Sequence, residues 1–367
     1  MSSTKPKVLS IGISTLDTIA TIDSFPNPDD KLRSSSLVHA GGGNAANTAF
    51  CIARLGQVGV DLVTSIGKDG HGEVMMKELR DEKVGVDETV ERYEGNSAWS
   101  YIMVMKGTRT IIHQPQTKEL SLPFVNKIMV ERYVAAHFDG RHPKAAVYLS
   151  KQCQKKGVPY SVDVERPREG LLEILGGASF IICNSKYCDL VLGENPNATK
   201  EDIIVERLRR VFNEQSPRAK FVVMTMGDRG SCLVPLCQTL DEYNLTKEGR
   251  IVLGNANDDS AVNVVEKCGA LWCDPMKNCH VADTTGAGDI FQGALLSALW
   301  ISQRPKDCAS IQVPTNKMLL AHSLQIASTV AGKKVAKGGA REGIPSADDE
   351  KIMSSFSCIK TSELMDF

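Results

Sequence analysis

The chain reads as an α/β protein: a three-layer sandwich with a mainly parallel central sheet, plus a small β-sheet lid. Three observations predict it. Short runs rich in β-branched residues alternate with helix-periodic stretches along most of the 367 residues. Those runs are apolar on both sides of the strand, as expected where helices cover both faces of a parallel sheet. Two segments, 14–40 and 97–113, break the rhythm with β-like pieces that have no helix between them.

Taken in order, KVLSIGI (7–13), DLVTSIG (61–67), VAAHF (134–138), YSVDV (160–164), FIIC (180–183) and FVVMTM (221–226) are expected as buried strands. Helical spacing predicts helices over 44–55, 71–83, 143–156, 201–213, 286–302 and 316–335. Residues 1–13 then supply a core strand, 14–40 a lid segment and 41–96 core. Residues 97–113 form a lid hairpin turning near Lys106-Gly107-Thr108, and 114–367 return to the core. Extra strands lengthening the main sheet would account for the two irregular segments equally well. The polar QTLDEYNLTKEGR and GNANDDS stretches place a surface insertion at about 236–280, and the tail after Pro345 reads as peripheral.

Composition narrows the function classes. Apolar residues make up 42% and charged residues 24%, which suits a globular protein with a sizeable core. Lys and Arg (43) balance Asp and Glu (44), so no overall field favours nucleic acid or a membrane surface. Eleven scattered cysteines, several within apolar runs such as AFCIARL, point to a reducing compartment rather than a disulfide framework. Cys268, Cys273, Cys279 and His280 have spacings that match no common zinc finger, and an ordinary loop of thiols is the expectation. The start, MSSTKPKVLSIGI, has no apolar signal region, so the cytoplasm is expected.

The chemistry concentrates in Asp283-Thr-Thr-Gly-Ala-Gly-Asp289, followed by IFQGALLSALW. Phe291, Leu295, Ala298 and Leu299 share one helical face, so a helix begins near Gly286. Its first N–H groups are unpaired and partly positive, and Gly286, Ala287 and Gly288 leave room for an anion to reach them. Asp289 sits in the same turn. A carboxylate beside a bound phosphate is repelled unless it acts, and as a general base it would take a proton from a hydroxyl attacking phosphorus. For a lone G-x-G, a helix cap and a turn would be the better account; with both acids in a seven-residue block, the catalytic account is preferred. The second block, AGGGNAANTA (40–49), opens an apolar helix. Its glycines allow close backbone approach, and Asn44 and Asn47, three apart, share a face suited to hydroxyls. Asp17 follows the first strand as an acceptor for vicinal hydroxyls. Alone, each of these would be read as a capped helix and a solvated acid.

GGGNAAN and DTTGAGD, in this order and separation, resemble the two signatures of the ribokinase-like (PfkB) carbohydrate kinase family. The resemblance covers nearly the whole chain outside 236–280. It implies an α/β core with a β lid and phosphoryl transfer from ATP with Mg²⁺, and commonly a K⁺ helper. Within the family, RTIIH (109–113), DGRH (139–142), SVDVERPRE (161–169) and AGKK (331–334) are most similar to ketohexokinases, while FPNPD (25–29) is similar to plant members. By that likeness Asp289 is the base and Gly286, Ala287 and Gly288 form the anion hole. Asp17, Gly43, Asn44 and Asn47 hold the sugar, Arg109 lies near phosphates or sugar, and Arg141 and Glu165 lie toward the floor. Asn184, Lys186, Thr225, Gly227 and Gly230 lie by the nucleotide, and Asp283, Thr285 and Gly339 offer oxygens to a monovalent cation. One departure stands out: the N-x-x-E motif that helps organise Mg²⁺ in many members is Asn184-Ser-Lys-Tyr187 here.

The expected activity is therefore ATP-dependent phosphorylation of a small sugar, a ketohexose such as fructose. A nucleoside or another sugar is the alternative acceptor, with Trp99 and Tyr101 placed to stack on a base. A non-catalytic sugar or nucleotide sensor is supported only by Tyr187, and Asp289 speaks against it. Ile102 and Val104 on an isolated hairpin would expose apolar surface, which predicts a homodimer through the lid.

Overall fold

Each of the six apolar runs forms a strand in the computed structural model, which describes residues 5–105, 108–236, 249–251, 262–303 and 311–360. From the N-terminus, β1 (Lys7–Ile11) leads to β2 (Thr15–Thr21), β3 (Ser36–Gly42), α1 (Asn44–Leu55), β4 (Gly59–Gly67) and α2 (Gly70–Asp81). There follow β5 (Val90–Tyr93), β6 (Trp99–Met105), β7 (Thr108–Gln114), α3 (Leu122–Val125), β8 (Ala135–Phe138) and α4 (Pro143–Lys156). Next come β9 (Tyr160–Val164), α5 (Leu171–Leu175), β10 (Phe180–Asn184), α6 (Tyr187–Leu192), α7 (Glu201–Gln215), β11 (Phe221–Thr225) and β12 (Ser231–Pro235). The chain continues through β13 (Gly249–Ile251), β14 (Val264–Lys267), β15 (Ala270–Cys273), α8 (Ala287–Trp300), α9 (Lys317–Lys334) and α10 (Glu350–Lys360).

The main sheet has eleven strands in the order β13-β14-β15-β12-β11-β10-β9-β8-β1-β4-β5. From β11 to β5 every pairing is parallel; β12 to β15 are antiparallel. Successive residues on each strand feed opposite faces. Ile182 and Val223 pack with α1, α8 and α9, while Ile181 and Val222 pack with α4 and α7. That produces helix, sheet, helix. A separate four-stranded sheet, ordered β3-β2-β6-β7, stands off the core and is made from the two segments that broke the sequence rhythm. Its register aligns Asp17 with Ser100, and Ser100 with His113.

Three expectations need correction. Residues 262–273 do not sit in a surface insertion: β14 and β15 extend the main sheet, with Val264, Leu271 and Cys273 buried. Within that stretch 249–251 also join the main sheet as β13, while 237–248 and 252–261, like Lys106-Gly107 at the hairpin turn, lie outside the described residues. The tail is not peripheral either. Ile352, Phe356 and Ile359 recur at helical spacing on α10 and are buried in the main core. Lastly, Ile102 is buried, and the large apolar residues exposed on the strands of the small sheet are Leu37 and Val38 on β3 and Ile111 and Ile112 on β7. These are the two edge strands, so exposure follows position in the sheet rather than hydrophobicity along the hairpin.

The thiols behave as small apolar side chains: Cys51, Cys153, Cys183, Cys232 and Cys273 are buried and unbridged. Among the described residues no group of three or more His, Cys, Asp or Glu is placed to hold a metal, and no helix is long and apolar enough to cross a membrane. Because Phe356 is almost wholly enclosed, Phe356→Ala should cost about 3 kcal/mol or more. Urea denaturation should show the midpoint falling; an unchanged midpoint would mean α10 does not belong to the core.

Candidate active site

The helix-starting block does what its sequence requires. Gly286 caps α8 with a left-handed backbone (φ 72°), and Asp289 lies in the first turn. Ala287 N–H is spent on the Thr284 carbonyl (3.2 Å), so one of the three expected anion-hole amides is already used. The Gly286, Gly288 and Asp289 amides have no acceptor among the described residues, and the space beside Gly288 Cα is open. The unpaired amides of this turn are thus those of 286, 288 and 289, and that of 287 is paired.

Asp283 staples the loop. Its Oδ1 accepts from Thr285 N (2.8 Å) and Thr285 Oγ1 (2.7 Å), and its Oδ2 from Gly339 N (2.9 Å). Burial alone would raise this carboxyl, but those hydrogen bonds and the Lys334 charge outweigh it and hold it below the usual range. Lys334, at the end of α9, is fully buried. Its ammonium donates to the Asp283 carbonyl (3.0 Å) and to the Thr285 carbonyl. Burial lowers it to about 8. From the lid, Arg109 reaches Thr285 Oγ1 at 2.9 Å, so β7 touches the loop directly.

Asp289 is held from the other side by α1. Gly43 begins that helix at φ 92°, a conformation that disfavours any side chain. On α8, Gly293 lies so close to α1 that a Cβ there would stand 2.8 Å from the Thr48 carbonyl. This contact brings Asn47 Nδ2 to 2.8 Å from Asp289 Oδ2. The same amide accepts Arg341 Nε on its oxygen at 3.0 Å. Arg341 also donates to the Gly42 carbonyl (3.3 Å) and pairs with Glu78 (3.0 Å), whose other oxygen accepts Gly41 N–H. Arginine only donates, so it dictates which end of Asn47 faces Asp289. Both ends of Asn47 are therefore occupied by protein, and the shared face inferred for Asn44 and Asn47 divides between two tasks.

Asn44 Nδ2 contacts Glu165 (2.9 Å) and Asp163 (3.4 Å). Burial and the adjacent Glu165 charge raise Asp163 to about 7. Asp289 stands well above the ordinary carboxylate range, first through burial and then through the charges of Asp163, Glu165 and Asp139, against the Asn47 hydrogen bond. Asp17, on β2, is buried and raised by that burial, opposed by Thr15 and Ser100 hydrogen bonds. Arg141 and His113 share a cavity of about 290 Å³ with Ile13 and Arg168. Arg168 also pairs with Glu165 at 3.1 Å.

Asn184 and Thr225 end neighbouring strands β10 and β11, at the carboxyl edge where open α/β sheets bind ligands. Asn184 Nδ2 reaches the Glu165 carbonyl (3.4 Å), which links this edge to Asn44, and Thr225 Oγ1 reaches the Cys183 carbonyl (3.4 Å). Gly227 and Gly230 form the turn after β11 with left-handed backbones. Lys186 is exposed and its side chain meets none of the other candidates. Tyr187 points its side chain into the core, stacked on Phe212 and bonded to Gln215 (2.9 Å), and meets the site only through its N–H, which donates to Asn184 Oδ1 (3.1 Å). Trp99 packs on the core and against His71 rather than standing free.

Arg341 and Lys334 went unnoticed in the sequence, one inside a glycine loop and the other in AGKK. Removing Arg341 strands the Glu78 carboxylate and the Asn47 oxygen. Arg341→Met should lower stability by about 2–3 kcal/mol, at the low end for a buried pair because Glu78 is part-exposed. Thermal denaturation checks this, and no loss would mean that the guanidinium is not structural.

Residues 5–249 match the pfkB family carbohydrate kinase profile. Ketohexokinase from Mus musculus is 23% identical over 304 residues, 80% of this chain and 89% of that protein. Ribokinase from Lactococcus lactis is 21% identical over 350 residues, 94% of this chain and 96% of that protein. Among solved structures, ribokinase from Giardia lamblia superposes with a TM-score of 0.74 at 17% identity, covering 97% of this chain and 99% of that one. Arabidopsis thaliana ribokinase complexed with ribose and ATP gives 0.70 at 20% identity, covering 98% and 100%. These superpositions establish the fold. With its profile match spanning well over half of the residues, the chain belongs to the pfkB family of carbohydrate kinases.

Proposed function

We propose that this chain transfers the γ-phosphoryl group of ATP to a hydroxyl of a small sugar, a ketohexose such as fructose first among them. The observation that carries the reading is Asp289: one carboxylate oxygen is held by Asn47, and free amides stand beside it in the same helical turn. The second oxygen is left to take the hydroxyl proton as the new O–P bond forms and the bond to the leaving ADP breaks. The amides of Gly286, Gly288 and Asp289 offset charge on the transferred oxygens, with Arg109 reaching the same loop from the lid. On the acceptor side, Asp17, the Asn44 oxygen and Arg141 are assigned to sugar hydroxyls. Asn184, Thr225, Gly227 and Gly230 are assigned to the nucleotide edge.

Mg²⁺ fits the charge distribution. Asp163 and Glu165 form a close acidic pair bridged by one amide. They are the carboxylates that would face the ion, with the rest of its shell from phosphate and water. Bound there, it would neutralise phosphate charge. The ketohexose assignment rests on likeness in RTIIH, DGRH and SVDVERPRE. Ribose and nucleosides are the competing acceptors. Trp99, partly buried against the core and set against His71, lends that alternative little support. Association through the lid is part of the same reading: Leu37, Val38, Ile111 and Ile112 line its exposed edges, and a second copy would cover them.

Phosphate transfer from ATP should be measured on ketoses, aldoses and nucleosides. Turnover only with a hydroxylated acceptor, lost at least a hundredfold in Asp289→Asn, is expected; no turnover on any acceptor would overturn the kinase assignment. Asp289 must be ionised to act, and its carboxyl is raised, so kcat/KM should fall on acidification at a pH above the ordinary carboxylate range. Asn47→Ala removes a hydrogen bond that favours the charged form, so this acid limb should move to still higher pH. A limb below the ordinary range would count against Asp289 as the base. Sedimentation should reveal a dimer that Ile112→Asp dissociates; a monomer at all concentrations would end the lid-interface assignment.

A further inference from the structure

The family likeness implies a potassium ion among the oxygens of Asp283, Thr285 and Gly339. The residues present do not fit it. Gly339 turns its N–H, not its carbonyl, to the Asp283 carboxylate (2.9 Å). The carbonyls of Asp283 and Thr285 both accept from the Lys334 ammonium (3.0 Å for the first). The Lys334 side chain is fully buried, and Asp283 Oδ1 is already taken by both donors of Thr285. A second cation would have to share these oxygens with a charge of the same sign at hydrogen-bond distance.

From this we infer that Lys334 is the resident cation of the 283–289 loop, built into the chain, and that the enzyme neither binds nor needs a monovalent metal ion. The role is one of positioning. A peptide unit is planar and trans, so its C=O and N–H point in opposite directions. Pulling the Thr285 carbonyl toward Lys334 aims the Gly286 N–H away from it, and the same holds for Asp283 and Thr284. Gly286 N–H is one of the amides without an acceptor. The ammonium thus sets the direction of the anion-binding donors and adds positive charge behind them. Arg109 contacts Thr285 through its hydroxyl, so the lid meets the loop on a different atom and does not compete for the carbonyls.

The inference rests on the reading of 286–289 as an anion hole, so its test includes measurements that need no turnover. Crystals of the wild-type chain soaked in rubidium chloride should show no anomalous peak on the Asp283 and Thr285 carbonyls. Replacing tetramethylammonium by potassium at constant ionic strength should leave the melting temperature unchanged. Lys334→Ala should gain both responses, a rubidium peak and potassium-dependent stabilisation, because it empties a ring of oxygens. If the kinase assignment holds, wild-type turnover should agree within about twofold in the two salts. Lys334→Ala should then lose at least tenfold in tetramethylammonium and recover in potassium, whereas Lys334→Met, which fills the space without charge, should not recover. A rubidium peak at these carbonyls in the wild-type protein, or its several-fold activation by potassium, overturns the inference. Both wild-type measurements decide it even where a variant fails to fold, and absence of any kinase activity leaves the crystallographic and melting results standing on their own.

Discussion

The Asn47 side chain is the interaction on which the rest of the site depends. It lies between a donor-only guanidinium and a carboxylate, and one amide satisfies both with no alternative orientation. Arg341, which imposes that choice, also grips the Gly42 carbonyl at the root of β3 and pairs with Glu78, which holds Gly41 N–H. One buried side chain therefore joins the foot of the lid to the orientation of Asp289. Asp17 sits on β2, the strand paired with β3. A shift of the lid that moved Asp17 would be felt at Asp289 through Gly42, Arg341 and Asn47.

Most of the fold was legible because its signals are local. A β-branched run or an apolar stripe at helical spacing needs only its neighbours to declare itself, and α1, α4 and β9 begin and end where the pattern does. DTTGAGD was legible for the same reason: its amides, cap and carboxylate belong to one turn. Arg341 and Lys334 were not. Arg341 lies 294 residues from Asn47, and Lys334 lies 51 from Asp283. A lysine in the last turn of a helix ordinarily faces solvent and complements the dipole. Only the tertiary fold turns this one inward. The strands β14 and β15 were hidden by the polar stretch before them and by thiols that invited a metal reading, although VNVVEK and ALWC carry strand residues. In α10 three apolar residues among many polar ones suffice, because a helix on the rim of a core buries only one stripe.

The arrangement of charge explains how four acids coexist around one helix terminus. Asp139 is satisfied by the amides of Ile13, Ala45 and Arg141, and so ties β1, α1 and β8 together. Glu165 has Asn44 and Arg168, and Asp289 has Asn47. These partners supply hydrogen bonds but, Arg168 apart, little positive charge, so burial first and the mutual repulsion after it raise the Asp163 and Asp289 carboxyls. The compensating charge stands on the far side of Asp289: the open amides of α8, the Lys334 ammonium and Arg109. A neutral polyol is at home among the acids, which accept its hydroxyls. An anion is repelled there and drawn toward the amides. On the proposed reading, Asp289 lies on the boundary between the two regions, where a hydroxyl from one side would meet a phosphoryl group from the other. On that reading, a carboxylate raised first by burial and then by its acidic neighbours holds a proton more strongly than an isolated one would, so the same crowding that costs stability would strengthen Asp289 as a base.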